Sequence, residues 1–335
     1  MDLSYSFIIP VYNRPEEVKE LLESLVKQDF KKDFEVVIIE DGSAVSSEEV
    51  VSVFRDKLNI SYYFKPNSGP GDSRNFGMKK ASGNYFLILD SDVILPSGYL
   101  TRVNHFLSQT FFDCFGGPDA AHENFSDLQK AINYAMTSVF TTGGIRGNKK
   151  SVGKFQPRSF NMGLSKKAFE ASKGFGLLHP GEDPDLSLRL EKLGFSTVLI
   201  PDAFVFHKRR IDWNKFNLQV YKFGLVRPIL NLWHPNSAKI TYWFPSLFLC
   251  GFFFSLALAM LGIWIFLYIY AGYFLLIGID AAVKNKSFYI GSIAIVATFI
   301  QFYGYGRGFL IAVWKLQILK ISPEKAFPFL FFKKS

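Results

Sequence analysis

From Ile240 to Ile279 the chain carries no charged residue, and from Ser287 to Gly306 there is again none. A helix needs about 20 apolar residues to cross a bilayer core. The first run is about twice that length, so it reads as one long span, a tight hairpin, or a span with an interfacial segment. The second run is about one span. Soluble helices rarely avoid charge for so long, so the last third of the chain is expected to meet a membrane. Trp243, Trp264, Tyr268, Tyr270 and Tyr273 are candidate interface anchors.

Basic residues flank these runs. Lys208, Arg209, Arg210, Lys215, Lys222, Arg227 and Lys239 precede the first, and Lys315, Lys320, Lys325, Lys333 and Lys334 follow the second. The positive-inside rule puts both flanks in the cytoplasm and calls for an even number of crossings, most simply two. Lys284 and Lys286 then fall outside, against the rule, unless the first run is itself a hairpin. The whole chain has 38 basic and 29 acidic residues, net +9. Such a balance suits nucleic acid, phospholipid or an acidic substrate. The clustering beside apolar runs favours membrane over nucleic acid. The 2 cysteines, Cys114 and Cys250, indicate neither a disulfide framework nor a Cys-type zinc site. Met1-Asp2-Leu3-Ser4 has no basic and apolar leader, so the first part of the chain is expected in the cytoplasm and the protein at the inner membrane.

Ahead of the apolar runs, strand and helix patterns alternate. Ser6–Val11 is a short apolar strand. Pro15, Glu16 and Glu17 mark a helix start, and Val18, Leu21, Leu22, Leu25 and Val26 follow helical spacing. Phe34–Ile39 is the next strand, ending in Glu40-Asp41-Gly42-Ser43. A helix from about Ser47 to Leu58, a strand over Ile60–Phe64, the glycine-rich Asn67-Ser68-Gly69-Pro70-Gly71 and a helix near Asp72–Ala81 lead to the strand before Asp90. This alternation predicts a parallel, doubly wound sheet whose ligands lie outside the carboxyl ends of the strands. The first strand-to-helix turn, Val11-Tyr12-Asn13-Arg14-Pro15, lacks the glycines of a dinucleotide fingerprint or a P-loop.

The apolar run Tyr85–Leu89 ends in Asp90-Ser91-Asp92. Residues i and i+2 of a strand share a side, so the two carboxylates can project together. They repel unless a cation sits between them, and Mg²⁺ or Mn²⁺ on a diphosphate is a natural occupant. Taken alone, the same residues also read as a strand followed by an Asx-type turn, and Asp41 as a turn residue before Gly42.

Together, Ile9-Pro10-Val11-Tyr12-Asn13, Glu40-Asp41-Gly42-Ser43, Ser73-Arg74-Asn75-Phe76-Gly77, Asp90-Ser91-Asp92, Asn161-Met162-Gly163 and Gly181-Glu182-Asp183-Pro184-Asp185 resemble the family-2 glycosyltransferases over about residues 5 to 210. The resemblance implies an α/β GT-A fold, with a Rossmann-like, mostly parallel sheet, followed here by C-terminal transmembrane or interfacial helices. The expected division is a transferase domain at 1–215, a basic and aromatic connector at 216–240, a transmembrane region at 241–310 and a basic tail at 311–335. It also implies an inverting transfer from a nucleotide-sugar, UDP- or GDP-linked.

Residue by residue, Asp41 would meet the nucleotide base, with Pro10 and Tyr12 lining that pocket. Arg74, Asp90 and Ser91 would approach the donor. Asp92 would hold Mn²⁺ or Mg²⁺ on the diphosphate, joined by His207, whose other reading is a packing histidine. Arg209 and Arg210 would close over the diphosphate or begin the membrane-facing basic patch. Asp183 corresponds to the family's catalytic base, with Glu182 as the other candidate. The same acids also suit the cap of the following helix.

The chain departs from the family in two places. Glu40 stands in the usual double acid, and the Gln-x-x-Arg-Trp signature of processive synthases is absent after His207, where the chain reads Lys208-Arg209-Arg210-Ile211-Asp212-Trp213. That points to transfer of one sugar. The C-terminal arrangement is similar to bacterial transferases of exopolysaccharide or O-antigen synthesis, which implies a polyprenyl-diphosphate-linked glycan as acceptor. Competing readings are a polyprenyl-phosphate sugar transferase and a non-catalytic membrane adaptor. Residues 115–160 show little pattern and read as a mobile acceptor loop or a long surface loop.

Overall fold

A computed structural model describes residues 2–120, 125–142, 155–207 and 212–332. In chain order the elements are β1 (Tyr5–Val11), α1 (Pro15–Val26), β2 (Glu35–Asp41), α2 (Glu48–Ser52), β3 (Asn59–Lys65), α3 (Pro70–Lys80), β4 (Tyr85–Leu89), β5 (Val93–Ile94), α4 (Tyr99–Gln109), β6 (Cys114–Gly116) and β7 (Asp119–Ala120). There follow α5 (Asp127–Thr137), α6 (Val139–Thr142), β8 (Asn161–Ser165), α7 (Lys166–Ser172), α8 (Glu182–Lys192), β9 (Thr197–Leu199), β10 (Val205–His207), α9 (Trp213–Trp233), α10 (Phe244–Met260), α11 (Ile265–Asn285), α12 (Phe288–Val313) and α13 (Pro323–Ala326).

The chain divides into two compact units. The first holds residues 1–122, 155–208 and 331–335; the second holds 123–154 and 209–330. A stretch from the middle of the transferase region packs with the apolar helices, and the residues after those helices return to the first unit.

The first unit is a GT-A-like α/β domain. Its main sheet runs β3-β2-β1-β4-β8-β6-β9, and a small sheet runs β5-β10-β7. β1, β2, β3 and β4 are parallel, and β8 pairs antiparallel with both β4 and β6. The order reverses direction of growth between β1 and β4, which opens a crevice at their carboxyl ends. Alternation explains the two core layers. Phe7, Ile9 and Val11 of β1 pack on one face with Leu21, Leu22 and Tyr99; Ile8 packs on the other with Met78 and Phe86. Both faces are covered, so β2 and β4 read as unbroken apolar runs rather than alternating ones. Helix α3 lies close on the sheet because Gly77 has no side chain: a Cβ there would meet Ile39 Cδ1 at 2.5 Å.

The turn after β1 needs no glycine because Asn13 takes the left-handed conformation, φ 54°, which Asn tolerates better than most residues. Its Oδ1 accepts the N–H groups of Ala44 and Val45 at 2.7 and 3.0 Å, and its own N–H donates to Ser43 Oγ at 2.7 Å. The first two strand-to-helix turns are thereby tied together.

In the second unit the first charge-free run is a hairpin, one of the expected alternatives, with α10 turning through 261–264 into α11, so the described residues hold three helices long and apolar enough to cross a membrane. Met260, Leu261, Ile265 and Tyr268 around that turn are exposed. Part of the stretch read as a mobile acceptor loop or a long surface loop is α5, opened by a Ser126/Gln129 capping box. It packs on α11 and α12 through Ala131, Tyr134, Ile277, Ile290 and Ala294. Residues 143–154 of that stretch lie outside the described residues. The expected connector helix is α9, and α12 lies against it where glycines allow close approach. A Cβ on Gly224 would meet the Tyr305 carbonyl at 2.2 Å, and one on Gly308 the Tyr221 carbonyl at 2.4 Å. Arg307 stacks over Tyr221 at 4.6 Å.

Candidate active site

Asp41, at the end of β2, is buried. Its Oδ1 accepts from Lys65 Nζ at 2.7 Å and from the Ser68 N–H at 2.9 Å, and its Oδ2 accepts the Gly69 N–H at 2.9 Å. Lys65 is equally buried and also lies 3.4 Å from Asp72. A buried lysine is tolerable only when paired. This one fixes the glycine-rich turn 67–71 onto the end of β2. The in-register pairing of Asp41 with Lys65 between β2 and β3 explains the encounter. Pro10 sits near the end of β1, opposite Ile39, and Tyr12 lies just beyond, 54% exposed.

Asp90, Ser91 and Asp92 follow β4. Ser91 is buried. His207 reaches them because β10 pairs antiparallel with β5, setting His207 opposite Val93, the residue after Asp92. One ligand atom from each of Asp90, Asp92 and His207 lies within 4.8 Å of the others. His207 Nε2 is 3.1 Å from Asp92 Oδ1, its Nδ1 is buried without a hydrogen-bond partner, and its ring stacks on Phe160. Two carboxylates and an imidazole are a suitable donor set for Mn²⁺ or Mg²⁺. Arg14 Nη1 also reaches Asp92 Oδ2 at 2.5 Å. Burial alone would raise the Asp92 pKa, but the His207 and Arg14 contacts outweigh it and hold the carboxyl at about 2.

Arg74 of α3 is buried and bridges two acidic groups. Its Nη2 is 2.7 Å from Asp90 Oδ1 and its Nη1 is 3.3 Å from Glu182 Oε1, while the guanidinium lies over the Phe175 ring. It therefore joins the end of β4 to the start of α8. Glu182, Asp183 and Asp185 all fall in the first turn of α8, where the helix dipole favours negative charge. Glu182 also contacts His179 Nδ1 at 2.8 Å. Burial would raise its pKa, but the charge and hydrogen bond of His179, with Arg74, bring it down to about 2. Asp183 goes the other way. Burial and the adjacent Glu182 charge push its pKa up, and its Oδ1 is buried with no hydrogen-bond partner.

The structure thus brings Arg74, Asp90, Asp92, Glu182, Asp183 and His207 to one edge of the sheet. Arg209 and Arg210 lie outside the described residues. Three residues were not foreseen from sequence. Arg14 follows the left-handed Asn13 with no pattern of its own. Lys65 becomes visible only once β2 and β3 are known to be neighbours. His179 stands three residues ahead of Glu182, a spacing that hints at a pair flanking a helix start.

Residues 6–171 match the family described as Glycosyl transferase family 2, and this part of the chain is a family 2 glycosyl transferase domain. Among curated relatives, poly(ribitol-phosphate) beta-N-acetylglucosaminyltransferase TarS of Staphylococcus aureus strain Mu50 is 42% identical over 114 residues, which is 33% of this chain and 20% of that protein. The chain therefore spans about a fifth of the length of that relative. Among solved structures, S. aureus TarS 1-349 in complex with UDP-GlcNAc has a TM-score of 0.51 at 19% identity, covering 94% of this chain and 92% of that one. Mannosyltransferase PcManGT from Pyrobaculum calidifontis, in complex with GDP-Man and Mn2+, has a TM-score of 0.57 at 13% identity over 96% and 89%. At such identities the likeness shows a shared GT-A fold.

Proposed function

We propose that this chain is a membrane-anchored, metal-dependent, inverting glycosyltransferase that moves one sugar from a UDP- or GDP-sugar to a hydroxyl of a polyprenyl-diphosphate-linked glycan. The site would face the cytoplasm at the inner membrane. The observation that carries the reading is the Arg74 bridge. One guanidinium links a metal-suited cluster to an acidic pair in which one oxygen, Asp183 Oδ1, is buried without a hydrogen-bond partner.

In this reading Asp183 accepts the proton of the acceptor hydroxyl, with Glu182 as the neighbouring candidate. The acceptor oxygen bonds to the anomeric carbon as the bond to the diphosphate breaks, and the nucleoside diphosphate carries off the electron pair. Asp90, Asp92 and His207 would hold the cation, which when bound neutralises the leaving diphosphate. Asp41, Pro10 and Tyr12 mark the nucleotide end, and Ser91 and Arg74 the sugar end. Arg209 and Arg210 are retained as diphosphate contacts. The donor class draws support from the nucleotide-sugars named for TarS and PcManGT.

The membrane part draws on connectivity. The chain leaves the sheet unit and rejoins it at Phe331, which supports an even number of crossings. With three apolar helices available, the α10–α11 hairpin is the natural crossing pair. Lys284 and Lys286 then return to the cytoplasmic side, in keeping with the positive-inside rule. In cells carrying chains without the native cysteines, an impermeant maleimide should label Leu261→Cys from outside, and Lys286→Cys and Lys320→Cys only after permeabilisation. Outside labelling at residue 320 defeats the even count.

The decisive experiment is nucleoside diphosphate release by the detergent-purified chain over a panel of nucleotide-sugars, with Mn²⁺ or EDTA and with or without lipid-linked acceptors. Release that needs metal and a lipid-linked sugar supports the proposal. Equal activity on a soluble sugar sinks the lipid acceptor. Transfer to a lipid monophosphate instead selects the polyprenyl-phosphate reading. No release and no nucleotide binding select the adaptor.

A further inference from the structure

Loop 173–181, which delivers Glu182 and Asp183, has no helix or long strand of its own. Its first part is held from within the domain. Asn75 Nδ2 donates to the Phe175 carbonyl at 2.9 Å, and its Oδ1 accepts the Phe175 N–H at 2.8 Å. Arg189 donates to the carbonyls of Ser172 and Gly174 at 2.5 and 2.6 Å. Its second part is held by a segment from beyond the apolar helices. Phe331 forms an antiparallel bridge with Leu178, and the Phe332 N–H donates to the Leu177 carbonyl at 3.0 Å. The Phe332 ring lies flat on Gly69, where a Cβ would come within 2.4 Å of it, and 5.8 Å from the centroid of the His179 ring. Phe332 thus touches both the turn held by Asp41 and the histidine paired with Glu182. Ser68, Asp72, Glu182 and Phe332 line a small, partly open cavity.

We propose that Phe331-Phe332 is a strap that sets the base-bearing loop, with Phe332 a positioning residue for transfer acting through His179 and Glu182 on Asp183; this rests on the function proposed above. The physical reason is one of supports. Without the strap, the described residues of the loop after Phe175 lose their backbone pairing, and the half-buried His179 loses its aromatic cover. Glu182 then keeps Arg74 but not a rigid histidine, and the first turn of α8 loses its approach path. A base displaced by about 1 Å can cost about 10²-fold in rate. Asp41 keeps Lys65 and the Ser68 N–H without the strap, and Asp90 and Asp92 keep Arg74 and Arg14, so nucleotide binding should survive.

The test uses the full chain in detergent, comparing wild type with Phe332→Ala, Phe332→Tyr and a chain ending at Leu330. Phe332→Ala and the shortened chain should lower kcat by about 10- to 10²-fold, leaving donor KM and nucleoside diphosphate affinity within a few fold. Phe332→Tyr should restore most of the rate. Hydrogen–deuterium exchange should quicken in residues 176–183 and stay unchanged in β1 and β2. Full activity in Phe332→Ala overturns the proposal, as does unchanged exchange, or a loss of nucleotide binding that parallels the loss of rate. If wild type transfers from no donor while the exchange difference stands, the enzymatic reading fails and the strap does not.

Discussion

Two acidic pairs face each other across Arg74, and they are treated differently. At the end of β4, Asp90 is matched by the Arg74 guanidinium and Asp92 by that of Arg14, with His207 Nε2 at hydrogen-bond distance from Asp92. At the start of α8, Glu182 is matched by Arg74 and His179, while Asp183 keeps a buried oxygen without a partner. The first pair lies against two guanidinium groups, with His207 within reach of both carboxylates. The second splits its two members, one held ionised and the other pushed toward the neutral form. Environments that drive neighbouring carboxyl groups apart are how a site separates a supporting charge from a proton acceptor.

Removing Asp183 tests that division most severely. Asp183→Asn should cut turnover by about 10²- to 10⁴-fold, the range of a lost general base, with nucleoside diphosphate affinity nearly unchanged by calorimetry. An equal loss of affinity would mean that the α8 acids also serve the donor. Asp92→Ala should act at the other end. Turnover should fall on the order of 10²-fold, and the remaining nucleotide binding should no longer respond to EDTA. A metal response that persists in this variant would place the cation elsewhere.

The smallest expected effect is a shift in pH dependence. Asp183 must be ionised to accept a proton, and its raised pKa lifts the acid limb of the rate profile above the ordinary carboxylate range. Glu182→Gln removes the adjacent negative charge, which lowers the Asp183 pKa, so the acid limb should move to lower pH even as the maximal rate drops. A limb that moves upward or stays in place would assign it to another group.

Much of the sheet edge is legible in the linear chain because its determinants are local. The apolar run of β4 stops at Leu89 and delivers Asp90 and Asp92 together at its carboxyl end, although they lie in the turn that follows rather than in the strand itself. A helix start collects Glu182, Asp183 and Asp185 because its dipole favours acids. The uncharged run at 240–279 announces apolar helices, although only the structure shows it folded back on itself as α10 and α11. Helix α5 was missed despite its capping box, because its apolar face answers to α11 and α12, which lie far along the chain.

What the sequence by itself determined is which chemistry each strand end and helix start can offer: carboxylates in pairs, a turn that tolerates Asn13, and apolar segments that avoid water. Only the tertiary structure decided which of these meet. His207 finds Asp92 115 residues away because β10 and β5 pair in one register. Arg74 reaches Glu182 108 residues away because Gly77 lets α3 lie close on the sheet. Phe332 reaches Leu177 because the chain returns to its first unit after the apolar helices. Such encounters are set by strand order, register and close packing, which no local pattern of residues encodes.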